Sequence, residues 1–466
     1  MSVFCLIRKR NVIMGKTIII RRGYDIKLKG AAEKSTTEIP VSDVIAIKPP
    51  DFANVIPKLL VEPGDEILAG QAVFYDKNRP NLRFASPVSG EVAEVVRGEK
   101  RRILEVRILP DRKGMRYSEF PKSDPAQLSR ADIIERLLDG GCWHYIRQRP
   151  YSLIADPVDM PKAIFVSGFD SAPLAPDLGY VAGMDKENFQ AGLQALQVLA
   201  NGQLHLGLRD GSESQVPESL LANIPADHIH RFRGPHPAGN VGIQIHHVSP
   251  IQKGEIVWYV HSQDVTVIGR LFREGRYRAD RIVALTGSCF AQPQYLKVMY
   301  GQRISDLVGG RLNSDHCRII QGNVLTGQTS GADDFLSFYT NQITAITEGD
   351  QPEFFGWLLP GFGKLSLSRT FFSWLAPNRV YNLDTNMHGE ERAFVMTGQY
   401  EKVLPMNILP VFLLKAILAR DIERMEQLGI YEVSEEDFAL CEFACTSKID
   451  VQKIISEGLE YIRTEG

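Results

Sequence analysis

Two half-motifs near the N-terminus constrain this chain more than any other feature. The first is Leu59-Leu60-Val61-Glu62-Pro63-Gly64-Asp65-Glu66-Ile67-Leu68-Ala69-Gly70-Gln71, and the second is Ala85-Ser86-Pro87-Val88-Ser89-Gly90-Glu91-Val92. In each, a strand runs into a turn that needs glycine, and the next strand restarts with alternating apolar residues. Gly64-Asp65 and Ser89-Gly90 supply the turns, while Ile67, Val73, Val92 and Val95 supply the inward side chains. A two-residue period of this kind is the signature of β structure with one buried face.

The pattern resembles a biotinyl/lipoyl-type barrel-sandwich domain. Domains of that type either carry a cofactor on a hairpin lysine or serve as rigid spacers in redox complexes. Asp76-Lys77 falls about where the hairpin tip lies, but the tip continues as Asn78-Arg79-Pro80-Asn81-Leu82-Arg83. A loop of that length displaces Lys77 from a two-residue turn. The expectation is an unmodified structural domain, with a Lys77-modified carrier as its rival.

A chain of 466 residues has room for about three or four domains. Its 44% hydrophobic and 23% charged residues are those of a packed soluble protein. The net charge of −3 gives no general attraction to nucleic acid or anionic lipid. No apolar run reaches the length of about 20 residues that spans a bilayer. The best, Ile408 to Ala419, is interrupted by Pro410 and Lys415 and reads as a core helix. At the start, Val3, Phe4, Leu6 and Ile7 precede Arg8-Lys9-Arg10, the reverse of a secretory signal. The expected compartment is therefore the cytoplasm, with the six cysteines as reduced thiols. Residues 1–14 read as a disordered N-terminal arm, with Met14-Gly15 a candidate start.

Farther along, Ile133, Ile134, Leu137 and Leu138 have helical spacing, ending at Gly140-Gly141. Ala163 to Ser167 reads as a short buried strand. Asp185 can cap a helix bearing Phe189, Leu193, Leu196 and Leu199, closed by Asn201-Gly202. Gln203 to Leu208 and His228 to Phe232 are strand-like, with a helical piece from Glu218 to Ile224 between them. Strands alternating with helices imply a parallel α/β layer of Rossmann-like type. From Arg281 the pattern changes to two strands and a short helix, which fits a small β-grasp domain. Beyond Glu353 the chain reads as mostly helical, with Val411, Leu414, Leu418, Met425 and Leu428 in one stripe.

The sequence offers few groups for chemistry. No G-x-G-x-x-G follows a strand, and Gly140-Gly141 runs into Cys142-Trp143-His144-Tyr145, whose side chains obstruct a phosphate. Cys441 and Cys445 are one helical turn apart with no third cysteine nearby, too few for an iron–sulfur cluster. Trp143 to Tyr151 interleaves aromatics with arginines. That stretch either stacks on a planar ring and hydrogen-bonds its oxygens, or packs its aromatics on the α/β layer. His236, in the rigid loop Arg233 to Gly239, reads as a loop-orienting hydrogen bonder. Phe354 to Phe362, rich in aromatics, is either a core corner or an apolar docking patch. No catalytic residue and no metal ligand is assigned.

Together these features are similar to a known family, the NqrA subunits of the sodium-translocating NADH:quinone oxidoreductase. The resemblance runs from about Lys16 to Gly466. It is carried by Asp65 to Gln71, Ser86 to Val92, Trp143 to Tyr151, Gly234 to Gly239, Phe355-Gly356-Trp357 with Pro360-Gly361, and Leu440 to Cys445. It implies a Rossmann-like α/β domain (15–44 and 111–262) with an inserted barrel-sandwich domain (45–110). A β-grasp, SLBB-like domain (263–335) and a helical C-terminal domain (336–466) follow. It also implies a peripheral location on the cytoplasmic face of a bacterial inner membrane, with NqrB to NqrF as partners, chiefly the membrane protein NqrB. That complex reduces quinone and exports Na⁺, using FAD, FMN, Fe–S and riboflavin on the other subunits. The chain is further similar to RnfC and the flavin-binding subunit of complex I. Members that bind flavin carry a glycine-rich loop and a cysteine cluster where this chain departs, at Gly140 to Tyr145 and Cys441 to Cys445. The implied reading is a subunit with no cofactor of its own. The candidate quinone contacts are Trp143, Tyr145, Arg147, Arg149 and Tyr151, and the candidate docking residues are Phe354, Phe355, Trp357, Phe362 and His236. The rivals are an electron carrier with its own flavin or Fe–S centre, and a purely structural adaptor.

Overall fold

The computed structural model describes residues 17–211, 216–350, 355–356 and 360–466. Phe354 and Trp357, and the arm at residues 1–14, lie outside the described residues.

The half-motifs fold into two small sheets packed face to face. One has four strands, in the order Ile45–Ile47, Ile103–Pro110, Gly90–Arg97, Glu66–Ile67. The other has three, Pro57–Leu59, Ala72–Asp76 and Arg79–Ala85. Ile67, Val73 and Val92 are fully buried between them, while Val95 is partly buried. Gly64 and Gly90 take positive φ (96° and 158°), and a Cβ on Gly90 would sit 2.0 Å from the Leu109 carbonyl oxygen. That close approach explains why the second turn needs glycine.

Lys77 corrects one expectation. Ala72–Asp76 and Arg79–Ala85 pair through Asp76 and Arg79, so Lys77-Asn78 is itself a two-residue turn with Lys77 exposed at its tip. The buried Asp76 carboxylate tightens it, accepting from Ile56 N, Asn78 N and Arg79 Nε. Arg79 Nη1 also donates to the Ile154 carbonyl, which docks the hairpin on the α/β layer.

A seven-stranded sheet forms that layer, in the order Thr17–Ile19, Ile229–Arg233, Leu204–Arg209, Ile164–Ser167, Val257–His261, Arg147–Arg149, Leu153–Ile154. The first five are parallel and the last two antiparallel. Helix Lys186–Leu199 buries Phe189, Leu193, Leu196 and Leu199. Asp185 does not cap it through its side chain; the carboxylate holds Asn188 and Arg270 instead. Helix Ser262–Glu274 lies across Lys186–Leu199, where Gly192 and Gly269 let the backbones touch. The α/β layer therefore continues through Glu274, and a boundary at 262 would cut this helix at its first residue.

A six-stranded sheet follows, in the order Gln328–Ser330, Cys317–Gln321, Gln342–Thr347, Asp280–Thr286, Gln294–Met299, Glu33–Glu38. Two of its strands come from outside the expected 263–335 range. Glu33–Glu38, expected in the α/β domain, pairs in parallel with Gln294–Met299, and Gln342–Thr347, expected in the helical domain, pairs with Asp280–Thr286. Cys289 and Cys317 form a disulfide across this unit, with Cα atoms 6.5 Å apart, correcting the expectation of six free thiols. Cys142, Cys441 and Cys445 are buried and free.

The expected helical character beyond Glu353 holds only from Tyr400. Described residues between 360 and 399 form loops and a single 3-10 turn, Phe372–Leu375. Helices Pro410–Leu418, Ile422–Gln427, Glu435–Ala444 and Val451–Glu465 then pack with Ile20, Phe169, Phe232 and Ile243 of the α/β layer in one core. Val411, Leu414 and Met425 enter it, whereas Leu418 points out, 57% exposed. Among the described residues no helix is long and apolar enough to cross a membrane.

Candidate functional site

Parallel α/β sheets bind ligands outside the carboxyl ends of their strands, where the strand order reverses. Here the order reverses between Ile164–Ser167 and Val257–His261. The crevice is bounded by the loop after Ser167 on one side and by His261 with the start of helix Ser262–Glu274 on the other.

The chain's own third unit occupies that crevice. Asn341 Nδ2 lies 2.8 Å from His261 Nε2, and Gln342 Nε2 donates to the Pro173 carbonyl at 3.3 Å, so adjacent residues bridge both lips. Gln342 is anchored from behind by Thr286 Oγ1 (3.0 Å) and Thr344 Oγ1 (3.1 Å). Beside it, Arg281 Nη2 reaches Asp264 at 3.3 Å while Nη1 donates to the Phe338 carbonyl. Burial holds His261 down to about 4 and pushes Asp264 up to about 6, the latter opposed by Arg281. The crevice is thus bridged by side chains that hydrogen-bond one another across its two lips.

Gly140-Gly141 has a different role from a phosphate loop. A Cβ on Gly140 would lie 2.5 Å from Leu271 Cδ2, and one on Gly141 would lie 2.6 Å from Ala85 Cβ. These glycines let the end of helix Arg130–Asp139 sit flush against the barrel-sandwich sheet and helix Ser262–Glu274.

The next residues form the junction of three units. Trp143 is fully buried and donates Nε1–H to the Ala155 carbonyl at 2.7 Å. Tyr145 is buried with its hydroxyl 3.1 Å from that of Tyr277, and burial raises both phenols well above their ordinary range. His144 stacks between Phe84 (centroids 5.1 Å) and Tyr145 (4.9 Å), with Phe52 and Phe338 edge-on. Neither of its ring nitrogens has a hydrogen-bond partner, and burial holds it down to about 3. Arg147 is clasped between Tyr259 (5.4 Å) and Tyr339 (4.9 Å). Arg149 is buried against Glu436 (2.5 Å) and Asp437 (3.5 Å). Tyr151, at φ 78°, faces Tyr431.

Arg147 and Tyr151 stay partly exposed, whereas the structure packs Trp143, Tyr145 and Arg149 internally with almost no exposed surface. His236, a candidate docking residue, is likewise 3% exposed, with Nδ1 3.1 Å from Ser171 Oγ and its backbone N–H donated to Asp25. It orients its loop and offers no docking surface.

Two candidate docking residues do face out: Phe355 is 52% exposed and Phe362 56% exposed. Sequence reasoning missed Phe372, which lies against Phe362, and the exposed Trp374, Leu375, Val395 and Met396. The signal was present as an apolar composition with neither period, helical nor strand. Among the described residues no group of three or more His, Cys, Asp or Glu side chains is placed to hold a metal ion.

A barrel-sandwich, an α/β layer, a third sheeted unit across that layer's ligand edge and C-terminal helices define a mixed α/β multidomain protein. Family models match three of its parts: the NqrA N-terminal barrel-sandwich hybrid domain over residues 18–111, the NqrA second alpha/beta domain over 128–277, and the NQRA C-terminal domain over 282–331. The NqrA subunit of the Na⁺-translocating NADH-quinone reductase of Rhodopirellula baltica is 36% identical over 96% of this chain and 98% of its own length. That of Neisseria meningitidis serogroup A is 37% identical, and that of Yersinia pestis bv. Antiqua 35%, each over 96% of this chain and all of the relative. The chain belongs to the NqrA family of the Na⁺-translocating NADH-quinone reductase. A crystal structure of an NAD⁺-reducing [NiFe]-hydrogenase is similar over 48% of each chain at 13% identity, with a TM-score of 0.35, too distant to bear on the site.

Proposed function

We propose that this chain is a peripheral subunit that supports quinone reduction coupled to Na⁺ export while binding no redox cofactor itself. Electrons reach quinone through flavin and Fe–S centres on partner subunits, and this chain builds and docks the scaffold beside them. The observation that carries the reading is the bridge of Asn341 and Gln342 across the sheet's ligand crevice. Burial of Trp143, Tyr145 and Arg149 favours the scaffold role over direct contact with quinone. The α/β layer is read as Rossmann-like, interrupted by the barrel-sandwich unit, and the six-stranded unit as β-grasp.

Docking falls to the exposed apolar residues Phe355, Phe362, Phe372, Trp374, Leu375, Val395 and Met396, which face a membrane-embedded partner on the cytoplasmic side. The test is reconstitution of the complex with Phe362→Asp/Trp374→Asp. Co-purification of this chain with the complex and quinone reduction are expected to fall together, by about tenfold or more, with the isolated chain's melting temperature unchanged. Full assembly and turnover of the variant would refute the docking assignment. A Lys77-borne carrier is the reading this one displaces, and an intact mass equal to that of the bare chain excludes it.

A further inference from the structure

Next to the bridged crevice the structure leaves a cleft of about 220 Å³. It lies where helix Ser262–Glu274 and the end of helix Leu178–Gly183 meet the six-stranded sheet. Val181, Met184, Val267 and Ile282 form an apolar wall. Interleaved with them are Arg270, Arg278, Arg281 and Lys297, with Lys297 the cross-strand partner of Ile282 and Arg270 one turn from Val267, and the carboxylates of the lining are Asp185 and Asp280. We propose that this cleft binds a small organic anion: a carboxylate or phosphate monoester carried on a short apolar body.

The two acids in the lining are already neutralised. Asp185 Oδ2 is 2.9 Å from Arg270 Nε, and Asp280 Oδ1 lies 3.3 Å from both Arg270 Nη1 and Arg278 Nε. Arg278 also holds both oxygens of Glu274 at 3.0 Å, so the acids and Arg270 and Arg278 neutralise one another, and an added anion must be met by the remaining cations of the lining. Lys297 is the recruitable cation. Its partner Glu38, at 3.1 Å, stands outside the lining and is 73% exposed. An exposed pair of that kind is worth little, so a ligand replaces Glu38 at small cost. Buried Arg281 is paired with Asp264 and the Phe338 carbonyl through its terminal nitrogens, which leaves its Nε–H as an unpartnered donor in the lining. In so confined a cleft, a recruitable ammonium beside apolar side chains selects a charged head on an apolar body. At about 30 Å³ per water-sized group the space holds roughly seven such groups, enough for a single-ring acid.

Because the lining joins the α/β layer to the six-stranded sheet, a bound anion clamps these units together. This site is independent of the scaffold reading above. It is tested on the purified full chain by calorimetric titration with benzoate, phenyl phosphate, benzamide and inorganic phosphate. Saturable binding of benzoate or phenyl phosphate is expected, with no binding of benzamide or inorganic phosphate. Lys297→Glu is expected to weaken binding by about tenfold or more, and Met184→Trp, which fills the cleft from its half-exposed rim, to abolish it. Both changes are at accessible positions, and unchanged melting curves confirm that the variants fold. The proposal is overturned by any of three results: no saturation by either acid up to about 10 mM, equal binding of benzamide or inorganic phosphate, or wild-type affinity in both variants.

Discussion

Arg149 Nη1 lies 3.5 Å from Asp437 Oδ2, and both side chains are buried, although 288 residues separate them. Arg149 sits at the antiparallel margin of the seven-stranded sheet, and Asp437 caps helix Glu435–Ala444 by accepting from Ser434 N and Oγ. The pair, with Glu436, ties the C-terminal helices to the α/β layer. Removing one partner leaves a buried charge uncompensated, which costs about 3–5 kcal/mol. Arg149→Met is therefore expected to lower the unfolding free energy by that amount at pH 8, read from urea denaturation, and Arg149→Met/Asp437→Asn to recover part of it. The penalty shrinks at pH 5, because burial already raises the Asp437 carboxyl and it takes up a proton once Arg149 is gone. An equal loss at both pH values would show that the ion pair does not hold this junction.

His144 offers a separate test. Its imidazole is enclosed by Phe52, Phe84, Tyr145 and Phe338 with both nitrogens unpartnered. A buried polar group without a partner costs about 1–3 kcal/mol, so His144→Phe is expected to leave stability unchanged or higher at pH 7.5. Its pKa is depressed to about 3 in the fold, so stability is complete above the unfolded value near 6.5 and drains away as pH falls towards 3. His205, His236 and His261, each held down to about 4, act in the same direction. Asp264 and Asp437, each raised to about 6, act in the opposite direction: their contribution is present below about 4 and lost as pH rises through 6. The four histidines outnumber them and are shifted at least as far, so melting temperature should fall between pH 6.5 and 4, and fall less in His144→Phe. An identical acid limb in wild type and variant would contradict this account.

The Cys289–Cys317 bond predicts a thiol count. In denaturant without reductant, four of the six cysteines should alkylate, and all six after reduction. Opening a loop of 28 residues' separation should cost about 3–4 kcal/mol by chain entropy, read as a lower urea midpoint in Cys289→Ser/Cys317→Ser. Six alkylated thiols in the unreduced chain would remove the bond from the description.

The barrel-sandwich was legible because its turns need glycine and its strands alternate. Helix Lys186–Leu199 was legible for the same kind of reason, a stripe of Phe189, Leu193, Leu196 and Leu199. Glu33–Glu38 was not: all six residues of Glu-Lys-Ser-Thr-Thr-Glu are exposed, and the strand it pairs with lies more than 250 residues away in the chain. The Lys77 turn was misread because Arg79 and Pro80 look like loop, whereas Asp76 closes the turn through three hydrogen bonds that composition does not show. Trp143 to Tyr151 stayed open between two readings for a deeper reason. Alternating aromatics and arginines look the same in a ligand pocket and in a core, and what decides is where the acids lie. Those acids, Glu436 and Asp437, are close in space and remote in sequence.

The central claim is that Asn341 and Gln342 close the crevice in which an α/β layer of this kind would take a nucleotide or flavin. The most direct measurement is the visible spectrum, flavin content and iron content of the purified full chain after incubation with excess FMN, FAD and NADH. The account predicts a colourless protein with no retained flavin, nucleotide or iron. A protein that retains any of these at one equivalent per chain would contradict it.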